Sequence, residues 1–421
     1  MYHYSVNDSP MTDENTDKSV QNRRAFLKLG GASAIGMAGL SGCLTGGGGS
    51  GGASSGDSGG GSDDSSGGDS GGDSSSDSDS STESSENGGM DDLDFGGKEI
   101  SVMLNVGSIS TVHKQHLIPR VEEKYNLNIN TETAVTTTQL TKLQANSENP
   151  PDVLIPDVIG IERASREDRL EPLTDHKDLV PQIDNIYDKF IHYDGRGASW
   201  EVGEVMPVIN TDMWDSTPTT YEEVMTQSNA TAAVPFSWSG GPYLLLMASA
   251  IATGNSFDSK LDVEAGFQWL EENFKPNVQT TYQGVASAKQ QLASQNVDAL
   301  TVFWDYMVFD MFKNDQPIDP LFRLDPTGIA FAESVAVPNN SQNMDAARVY
   351  ANECLSPWFQ EKASEIMGSG VTNENASVNE TALEFGATTS DEFDQLSFPD
   401  FEYIWSNRSD WSTRWNEIFS E

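Results

Sequence analysis

Several side chains that could bind a small molecule stand where predicted β-strands end. In chain order they are Asn105, Asp157, Ser237, Trp238, Ser239, Trp304 and Asp305. In an open parallel sheet a ligand lies beyond the carboxyl ends of the strands, and a ligand cleft combines polar groups with aromatic rings. Asn, Asp and Ser are also common in ordinary loops, but tryptophan is not, so Trp238 and Trp304 favour a binding cleft.

The dipeptide Gly240-Gly241 opens a predicted helix. Backbone N–H groups at a helix N-terminus have no partner within the helix, and they favour an anion or a carboxylate. The stretch 237–241 also contains part of a Gly-x-Ser-x-Gly nucleophile elbow. Its first glycine is missing, and His176 and His192 stand in segments without a matching signature. A hydrolase is therefore a remote alternative, and we expect no enzymatic activity.

Metal binding is another alternative. His113 and His116 lie three residues apart and could share one face of a helix, and Tyr243 or Tyr306 could ligate ferric iron. No cluster of cysteine and histidine completes a site. We therefore interpret the two histidines as a solvated surface pair, and we expect neither a metal nor another cofactor.

The segments that carry these residues alternate between strand and helix patterns, separated by Gly, Asn and Pro. This alternation indicates an α/β fold with a largely parallel sheet. A folded part of about 320 residues is long enough for two domains. The pattern predicts strands over 99–104, from 127, and over 152–155, 232–236, 298–304 and 330–337, and helices over 111–125, 138–146, 220–225, 243–253, 263–274, 286–294 and 345–367, the last interrupted at Pro357.

The first residues predict export and lipidation. Arg23 and Arg24 precede a weakly apolar stretch, 29–40, as in a Tat-type signal, which carries folded proteins across a membrane. The stretch closes on Leu-Ser-Gly followed by Cys43, the pattern of a lipobox. It is much shorter than the roughly 20 apolar residues of a membrane-spanning helix. We predict a signal peptide over 1–42 and a lipid on Cys43 that anchors the protein at the extracellular face of the cell membrane.

Acidic residues outnumber Lys and Arg by 65 to 24, which gives a net charge of −41 and a pI near 4.1. The excess extends from the Gly/Ser/Asp-rich segment 43–97, predicted to be a disordered linker after the lipidated cysteine, into the folded part. Such a composition resembles that of halophilic archaea, whose salt screens the repulsion. The charge disfavours nucleic acid as a partner. Because Cys43 is assigned to lipid, Cys354 is a lone thiol and no disulfide is expected.

Between about residues 99 and 381 the order of features resembles that of one family. The matching stretches are Pro-Asp-Val-Leu-Ile-Pro at 151–156, Arg-Leu-Glu-Pro-Leu at 169–173, the run 296–304 that ends on a tryptophan, the run 328–338 with an aromatic residue, an acid two residues later and a final proline, and the stretch 343–357. Their shared order along the chain resembles the solute-binding proteins of ABC importers, in particular the spermidine/putrescine-binding class.

This resemblance implies a fold of the type II periplasmic-binding-protein kind. Each of two lobes would be a mixed, mostly parallel sheet flanked by helices, with the ligand cleft between the lobes. Lobe one would hold 98–202 and 334–380, and lobe two 203–333 and 381–421. The resemblance also implies a monomer that captures a small solute by hinge closure and delivers it to a permease and its ATPase subunits.

The ligand contacts implied by the resemblance are Trp304, Phe331 and Glu333, with Trp200 near an aromatic position at the first crossing between lobes. This set suits a cationic amine. Carboxylates form charge-assisted hydrogen bonds to ammonium groups, and each aromatic face adds about 0.5–2 kcal/mol through cation–π contact. Asp305, beside Trp304, could assist. The resemblance thus implies a polyamine or a similar amine as the solute.

Other positions depart from the polyamine-binding pattern. Val106 replaces the family's aromatic residue after Asn105, and residues 158–160 replace aromatics in the next loop. The glycine-rich loop 237–243 replaces an acidic one, and related proteins that bind organic anions or thiamine use such loops. Thiamine, an organic anion and ferric iron therefore stay open as alternative solutes.

Overall fold

The computed structural model describes residues 90–237, 240–282 and 284–419. The predicted signal peptide, the lipid site Cys43 and almost all of the predicted linker lie outside these ranges. The strands are β1 Lys98–Leu104, β2 Leu127–Thr133, β3 Val153–Leu154, β4 Ile191–His192, β5 Gly197–Ser199, β6 Gly203–Asn210, β7 Thr231–Ala233, β8 Val278–Thr281, β9 Ala299–Trp304, β10 Ile318–Pro320, β11 Gly328–Phe331, β12 Ser334–Val335 and β13 Leu396–Ser397.

The α-helices are Ser108–Val112, Ile118–Tyr125, Thr136–Ala145, Val158–Arg166, Tyr221–Gln227, Gly240–Thr253, Val263–Trp269, Val285–Ala293, Asp305–Lys313, Met344–Cys354, Pro357–Met367, Glu380–Phe385 and Phe401–Phe419. Two π-helical turns, His113–Leu117 and Leu270–Phe274, continue the helices that precede them. The prediction of an interruption at Pro357 is confirmed: Ser356 caps the new helix by accepting a hydrogen bond from the N–H of Phe359, and proline fits the first turn because its missing N–H is not needed there.

Two principal sheets carry the fold. The first is parallel, in the order β2–β1–β3. The second has the order β13–β11–β6–β9–β7–β8, with β10 also paired to β6. Its outer pairs are parallel, whereas β6 runs antiparallel to β9, β10 and β11. The prediction of mixed sheets flanked by helices is confirmed.

Two large hydrophobic clusters define the two lobes. The first surrounds β1 and contains Tyr125, Trp200, Tyr350 and Phe359. The second surrounds β6 and β9 and contains most of the very apolar helix Gly240–Thr253. Fully buried apolar side chains of this kind each stabilise the fold by about 1.5–3 kcal/mol.

Not all of the chain after residue 380 packs on the second cluster. Phe393 belongs to the first cluster, and its ring meets that of Phe190 edge-on at 4.8 Å. A few residues later β13 pairs with β11 of the second sheet. The segment 390–397 therefore contacts both lobes, whereas the sequence assigned all of 381–421 to lobe two.

Two segments in which the chain passes between the lobes, residues 200–204 and 330–335, lie side by side; here they are called the crossings. The predicted single strand over 330–337 is in fact two short strands, because β11 pairs with β6 and β12 pairs with β5. Between them the N–H of Glu333 donates to Oε1 of Glu201 at 2.7 Å, and the carbonyl of Glu333 accepts the N–H of Trp200 at 3.1 Å.

Four buried carboxyl groups surround the crossings: Glu201, Glu204, Asp305 and Glu333 are each at most 1% exposed. Burial raises the pKa of Glu201 well above its usual range, and the nearby Asp305 carboxyl raises it further. Burial likewise raises the pKa of Asp305 to about 7 and that of Glu204 to about 8. Charged carboxylates are costly in such surroundings, so the neutral forms persist to higher pH here than in water.

His113 does not form a surface pair with His116. Its ring is completely buried in the first cluster, where Nδ1 lies 2.8 Å from the hydroxyl of Tyr350 and the ring meets those of Trp200 and Phe359. Burial lowers the pKa of His113 to about 3. The interpretation of a solvated pair is therefore wrong, because the helical face that carries His113 packs inward.

Within the described ranges, none of the helices combines the length and the apolar composition needed to cross a bilayer. The same part of the chain holds no group of three or more His, Cys, Asp or Glu side chains arranged to bind a metal ion.

The buried carboxyl of Glu201 predicts that stability falls as the pH rises. A carboxyl whose pKa is raised in the folded state contributes stability below its unfolded pKa and loses it as the pH approaches the folded value. Glu201→Gln keeps an acceptor for the N–H of Glu333 but cannot ionise. We expect its melting temperature to exceed that of the wild type increasingly from about pH 5 to about pH 9, finally by at least about 2–4 °C, the shift that roughly 1 kcal/mol produces in a large domain.

Thermal melts monitored by circular dichroism measure this difference. Glu222→Gln, which changes an exposed carboxylate, is the control and should follow the wild-type pH profile. Parallel profiles for Glu201→Gln and the wild type would contradict the prediction.

Candidate ligand-binding cleft

A cavity of about 360 Å³ opens where β1, β9 and β11 end. Its walls come from both lobes: the first contributes the loop after β1, the start of the helix Thr136–Ala145 and the start of the helix Val158–Arg166. The second contributes the ends of β9 and β11 and the helix Phe401–Phe419, called here the C-terminal helix. The lining residues are Asn105, Val106, Val135, Thr136, Thr137, Asp157, Ile159, Ser237, Val285, Trp304, Tyr306, Met307, Phe331, Glu333, Trp405 and Arg408.

Glu333 is the most deeply buried acid of this cavity, with no exposed surface. Its Oε1 accepts a hydrogen bond from Nδ2 of Asn105 at 2.8 Å, while no described residue forms a hydrogen bond with its Oε2. Burial raises the pKa of Glu333 well above its usual range, and the carboxyls of Asp157 and Glu201 raise it further. A buried oxygen without a donor is costly, so the site favours a ligand that brings a hydrogen-bond donor or a positive charge.

Asp157 lies beside Glu333, because the two residues form an isolated antiparallel bridge. It caps the helix Val158–Arg166 by accepting the N–H of Gly160 at 3.1 Å, and its own N–H donates to Oγ1 of Thr136 at 3.2 Å. A side chain at Gly160 would meet Thr136 at 2.5 Å, so glycine permits this close approach. Burial raises the pKa of Asp157 to about 6, and the positive charge of Arg408 opposes that rise.

Three aromatic rings of the second lobe face the cavity. Trp304 ends β9 and Phe331 ends β11, and their rings meet edge-on with centroids 6.5 Å apart. Tyr306 stacks on Phe331 at 5.8 Å. Trp304 is only 4% exposed and belongs to the second hydrophobic cluster. It therefore serves as a core residue and as a wall of the cavity at once.

The C-terminal helix, which the sequence analysis did not predict, adds Trp405 and Arg408 to the cavity. Nη2 of Arg408 donates to the carbonyl of Ser237 at 2.8 Å, and its guanidinium lies 5.6 Å from the ring of Trp405. The aromatic residues at 411 and 415 repeat at helical spacing and pack inward. This spacing was the available signal for the helix.

The structure brings together six of the predicted contacts. They are Asn105, Asp157, Ser237, Trp304, Phe331 and Glu333. Trp238 and Ser239, also predicted, lie outside the described residues. Side chains at the cavity that the sequence analysis did not assign to an amine site include Thr136, Tyr306, Trp405 and Arg408.

Trp200, Asp305 and Gly240 do not line the cavity, in correction of the sequence analysis. Trp200 is fully buried in the first cluster with its ring 5.3 Å from that of Phe359, because a large apolar ring is most stable inside the lobe. Asp305 turns away from the cavity and accepts the N–H groups of Glu204 and Tyr306. Gly240 is buried where a side chain would meet Val302 at 2.8 Å.

The chemistry of the cavity suits a small solute with a positive group. Acidic oxygens line one part, aromatic faces line another, and apolar side chains separate them. Within the described residues no histidine lines the cavity beside Ser237, so the general base that a serine hydrolase needs is not supplied by this part of the chain.

No protein-family model matches the chain, and no curated protein matches it. Its fold is similar to solved structures of transport proteins. An ABC transporter structure from Clostridium perfringens shares 19% identity and a TM-score of 0.65, over 76% of this chain and 99% of the other. A spermidine/putrescine ABC transporter substrate-binding protein from Streptococcus pneumoniae shares 19% identity and a TM-score of 0.64, over 76% and 98%. A GABA receptor shares 16% identity and a TM-score of 0.63, over 76% and 96%.

The similarity extends over nearly the whole length of each of these neighbours. The chain therefore has the two-lobed α/β fold of ABC-transporter substrate-binding proteins.

Proposed function

We propose that this chain is the extracellular solute-binding component of an ABC importer, held at the cell membrane by lipid on Cys43. It captures a small cationic amine, such as a polyamine, and delivers it to a permease and its ATPase. It works as a monomer and catalyses no reaction. The observation that carries the proposal is the cavity between the two lobes, where the buried carboxyl of Glu333 has an oxygen without a partner beside three aromatic rings.

The charge and shape of the cavity support an amine. An ammonium group can donate to the free oxygen of Glu333 and to Asp157 at once, and charge-assisted hydrogen bonds of this kind are about twice as strong as neutral ones. Trp304 and Phe331 offer aromatic faces to the same charge. Two of the structural neighbours carry names that refer to amines, spermidine/putrescine and GABA.

The burial of Glu333 and the two crossings support the same role, with the solute captured by hinge closure. Glu333 has no surface exposed to water in this structure, so a solute must reach it while the lobes are further apart. The two antiparallel crossings at 200–204 and 330–335 are the segments that can bend, and closure then buries the solute between the lobes. A protein that buries its ligand in this way fits a carrier that hands over one molecule at a time.

Direct binding measurements test the proposal. A thermal-shift screen of the purified protein against polyamines, monoamines, amino acids, thiamine, small organic acids and metal ions should give its largest shifts with amines. Stabilisation by organic acids or metal ions alone would contradict the proposed solute class, while leaving the carrier role in place.

Replacing Glu333 by Gln should weaken the binding of an amine. The change removes one negative charge but keeps an oxygen for Asn105, so the fold should be retained. Loss of a hydrogen bond to a charged group costs about 1.5–3 kcal/mol, and we expect putrescine to bind about 10- to 150-fold more weakly in isothermal titration calorimetry. Glu222→Gln is the matched surface control and should bind as the wild type does. Unchanged affinity of the Glu333 variant would place the amine elsewhere.

The affinity for an amine should fall as the solution becomes acidic. The pKa of Asp157 is raised to about 6 in the free protein, and a bound ammonium favours the ionised form, so binding releases protons. We expect putrescine, which stays charged throughout, to bind several-fold more weakly at about pH 5.5 than at about pH 7.5. In Asp157→Asn the affinity for putrescine should change less between these two pH values. An affinity that rises on acidification would indicate an anionic solute.

Cys43→Ser should release the protein from the membrane fraction without unfolding it. A single acyl chain binds a membrane only marginally, so stable retention implies more than one chain. Fractionation after a high-salt wash, with an immunoblot, measures the distribution. In parallel, Lys in place of both Arg23 and Arg24 should leave precursor in the cytoplasm. Retention of the Cys43 variant in the washed membranes would rule out the lipid anchor.

A further inference from the structure

The C-terminal helix brings a positive charge to a cavity that is otherwise acidic or neutral. Of the described residues that line the cavity, Arg408 is the one cation. Its Nη2 donates to the carbonyls of Ser237 and Phe236, at 2.8 and 3.3 Å. These two bonds hold the guanidinium against the loop that follows β7.

The guanidinium has further donors besides Nη2. Within the described part of the chain, neither Nε nor Nη1 of Arg408 has a hydrogen-bond acceptor, and no carboxylate lies within the 4.0 Å of an ion pair. Asp157 is near enough for its charge and that of Arg408 to influence each other, but the two do not form an ion pair. Burying a cation in this way is unfavourable unless an anion joins it.

Two aromatic rings hold the guanidinium in place. Its central carbon lies 5.6 Å from the ring of Trp405 and 5.9 Å from the ring of Phe236. A guanidinium that is fixed on aromatic faces, with two donors free, is arranged to bind a carboxylate through two parallel hydrogen bonds. Nε1 of Trp405, on the same helix, is a second donor without an acceptor.

The acid and the cation belong to different walls of the cavity. Glu333 stands on the crossing between the lobes, with Asn105 of the first lobe, whereas Arg408 stands on the C-terminal helix of the second. Apolar side chains line the space, including Val106, Val135, Val285 and Met307. A molecule that satisfies both walls carries an ammonium group at one end, a carboxylate at the other and methylene groups between.

We propose that the solute is a zwitterion, an ω-amino acid whose ammonium group binds Glu333 and Asp157 and whose carboxylate binds Arg408. This inference rests on the proposed amine site and narrows the class of solute from amines in general to amino acids. A diamine of the same length would put its second ammonium group against Arg408, so the cavity selects an amino acid over a polyamine.

A set of probes of matched length tests the wild-type protein. Calorimetric titrations use the ω-amino acids from 3-aminopropanoate to 6-aminohexanoate, together with butylamine, butyrate and putrescine. We expect one amino acid of the series to bind at least about tenfold more tightly than butylamine, butyrate and putrescine, because it alone makes both charged contacts. A wild-type protein that prefers putrescine to every amino acid overturns the inference.

Variants at Arg408 then assign the carboxylate contact. Arg408→Gln should weaken the binding of the amino acid by about 10- to 150-fold. It should leave the affinity for butylamine within about twofold of the wild-type value, and putrescine should bind equally or more tightly. Arg408→Lys should restore part of the affinity for the amino acid. Arg414→Gln is the control, since Arg414 lies on the same helix but is exposed and pairs with Glu417.

The outcomes separate this inference from the proposed function. Amino-acid binding that is unchanged in Arg408→Gln overturns the carboxylate contact and leaves the amine site standing. Binding of butyrate alone, lost in Arg408→Gln, refutes the amine site and the zwitterion together. If Arg408→Gln has a lower melting temperature than the wild type, retained affinity for butylamine shows that the cavity is still formed. If both Arg408 variants bind none of the ligands, a specific role for the guanidinium is overturned. A wild-type protein that binds none of the probes overturns both proposals.

Discussion

Two chain crossings run side by side between the hydrophobic clusters, and the hydrogen bonds between them fix the position of Glu333. The N–H of Glu333 donates to the side chain of Glu201, its carbonyl accepts from Trp200, and its side chain accepts from Asn105. Each bond joins segments that are distant in sequence, and together they place one carboxyl on the line where the lobes meet. The cavity, the hinge and the buried acids all depend on this arrangement.

Among the described residues, three buried carboxyl oxygens have no hydrogen-bond partner, one each on Glu201, Glu204 and Glu333. Unpaired buried oxygens reduce stability, and they persist in proteins mainly where the strain or charge has a use. At Glu333 this oxygen belongs to a residue that lines the cavity, and it is the oxygen to which the proposed ammonium group would donate. The side chain of Glu201 instead accepts the N–H of Glu333, and that of Glu204 accepts the N–H of Arg323.

Selectivity for the proposed amine would come from burial of the carboxyls rather than from the net charge of −41. Charges on the surface attract any cation, and salt screens them over about 10 Å at 0.1 M and about 3 Å at 1 M. A carboxyl enclosed between two lobes is screened much less, so its attraction for the proposed ammonium group would persist in concentrated salt. The aromatic wall acts in the same direction: Trp304 is fixed by core packing, and a ring that is already ordered loses little freedom when a ligand binds.

The sequence by itself determined the alternation of strands and helices and the places where the strands end. These are local properties of apolar spacing and of Gly, Asn and Pro punctuation, and Asn105, Asp157 and Trp304 were found from them. The resemblance to solute-binding proteins added Phe331 and Glu333. All five line the same cavity: Asn105 and Asp157 follow strands of the first sheet, Trp304 and Phe331 end strands of the second, and Glu333 stands on a crossing between them.

Only the tertiary structure decided which neighbouring side chains face the ligand. Trp304 faces the cavity while Asp305, one residue later, turns to cap backbone N–H groups, because one step along the chain reverses the side-chain direction. Trp200 packs into the first lobe, since an apolar ring gains more there than at a polar crossing. The C-terminal helix reaches the cavity through contacts with residues more than 150 positions earlier, such as the bond from Arg408 to Ser237. No local pattern specifies such a contact, because it forms only when segments distant in sequence come together in the second lobe.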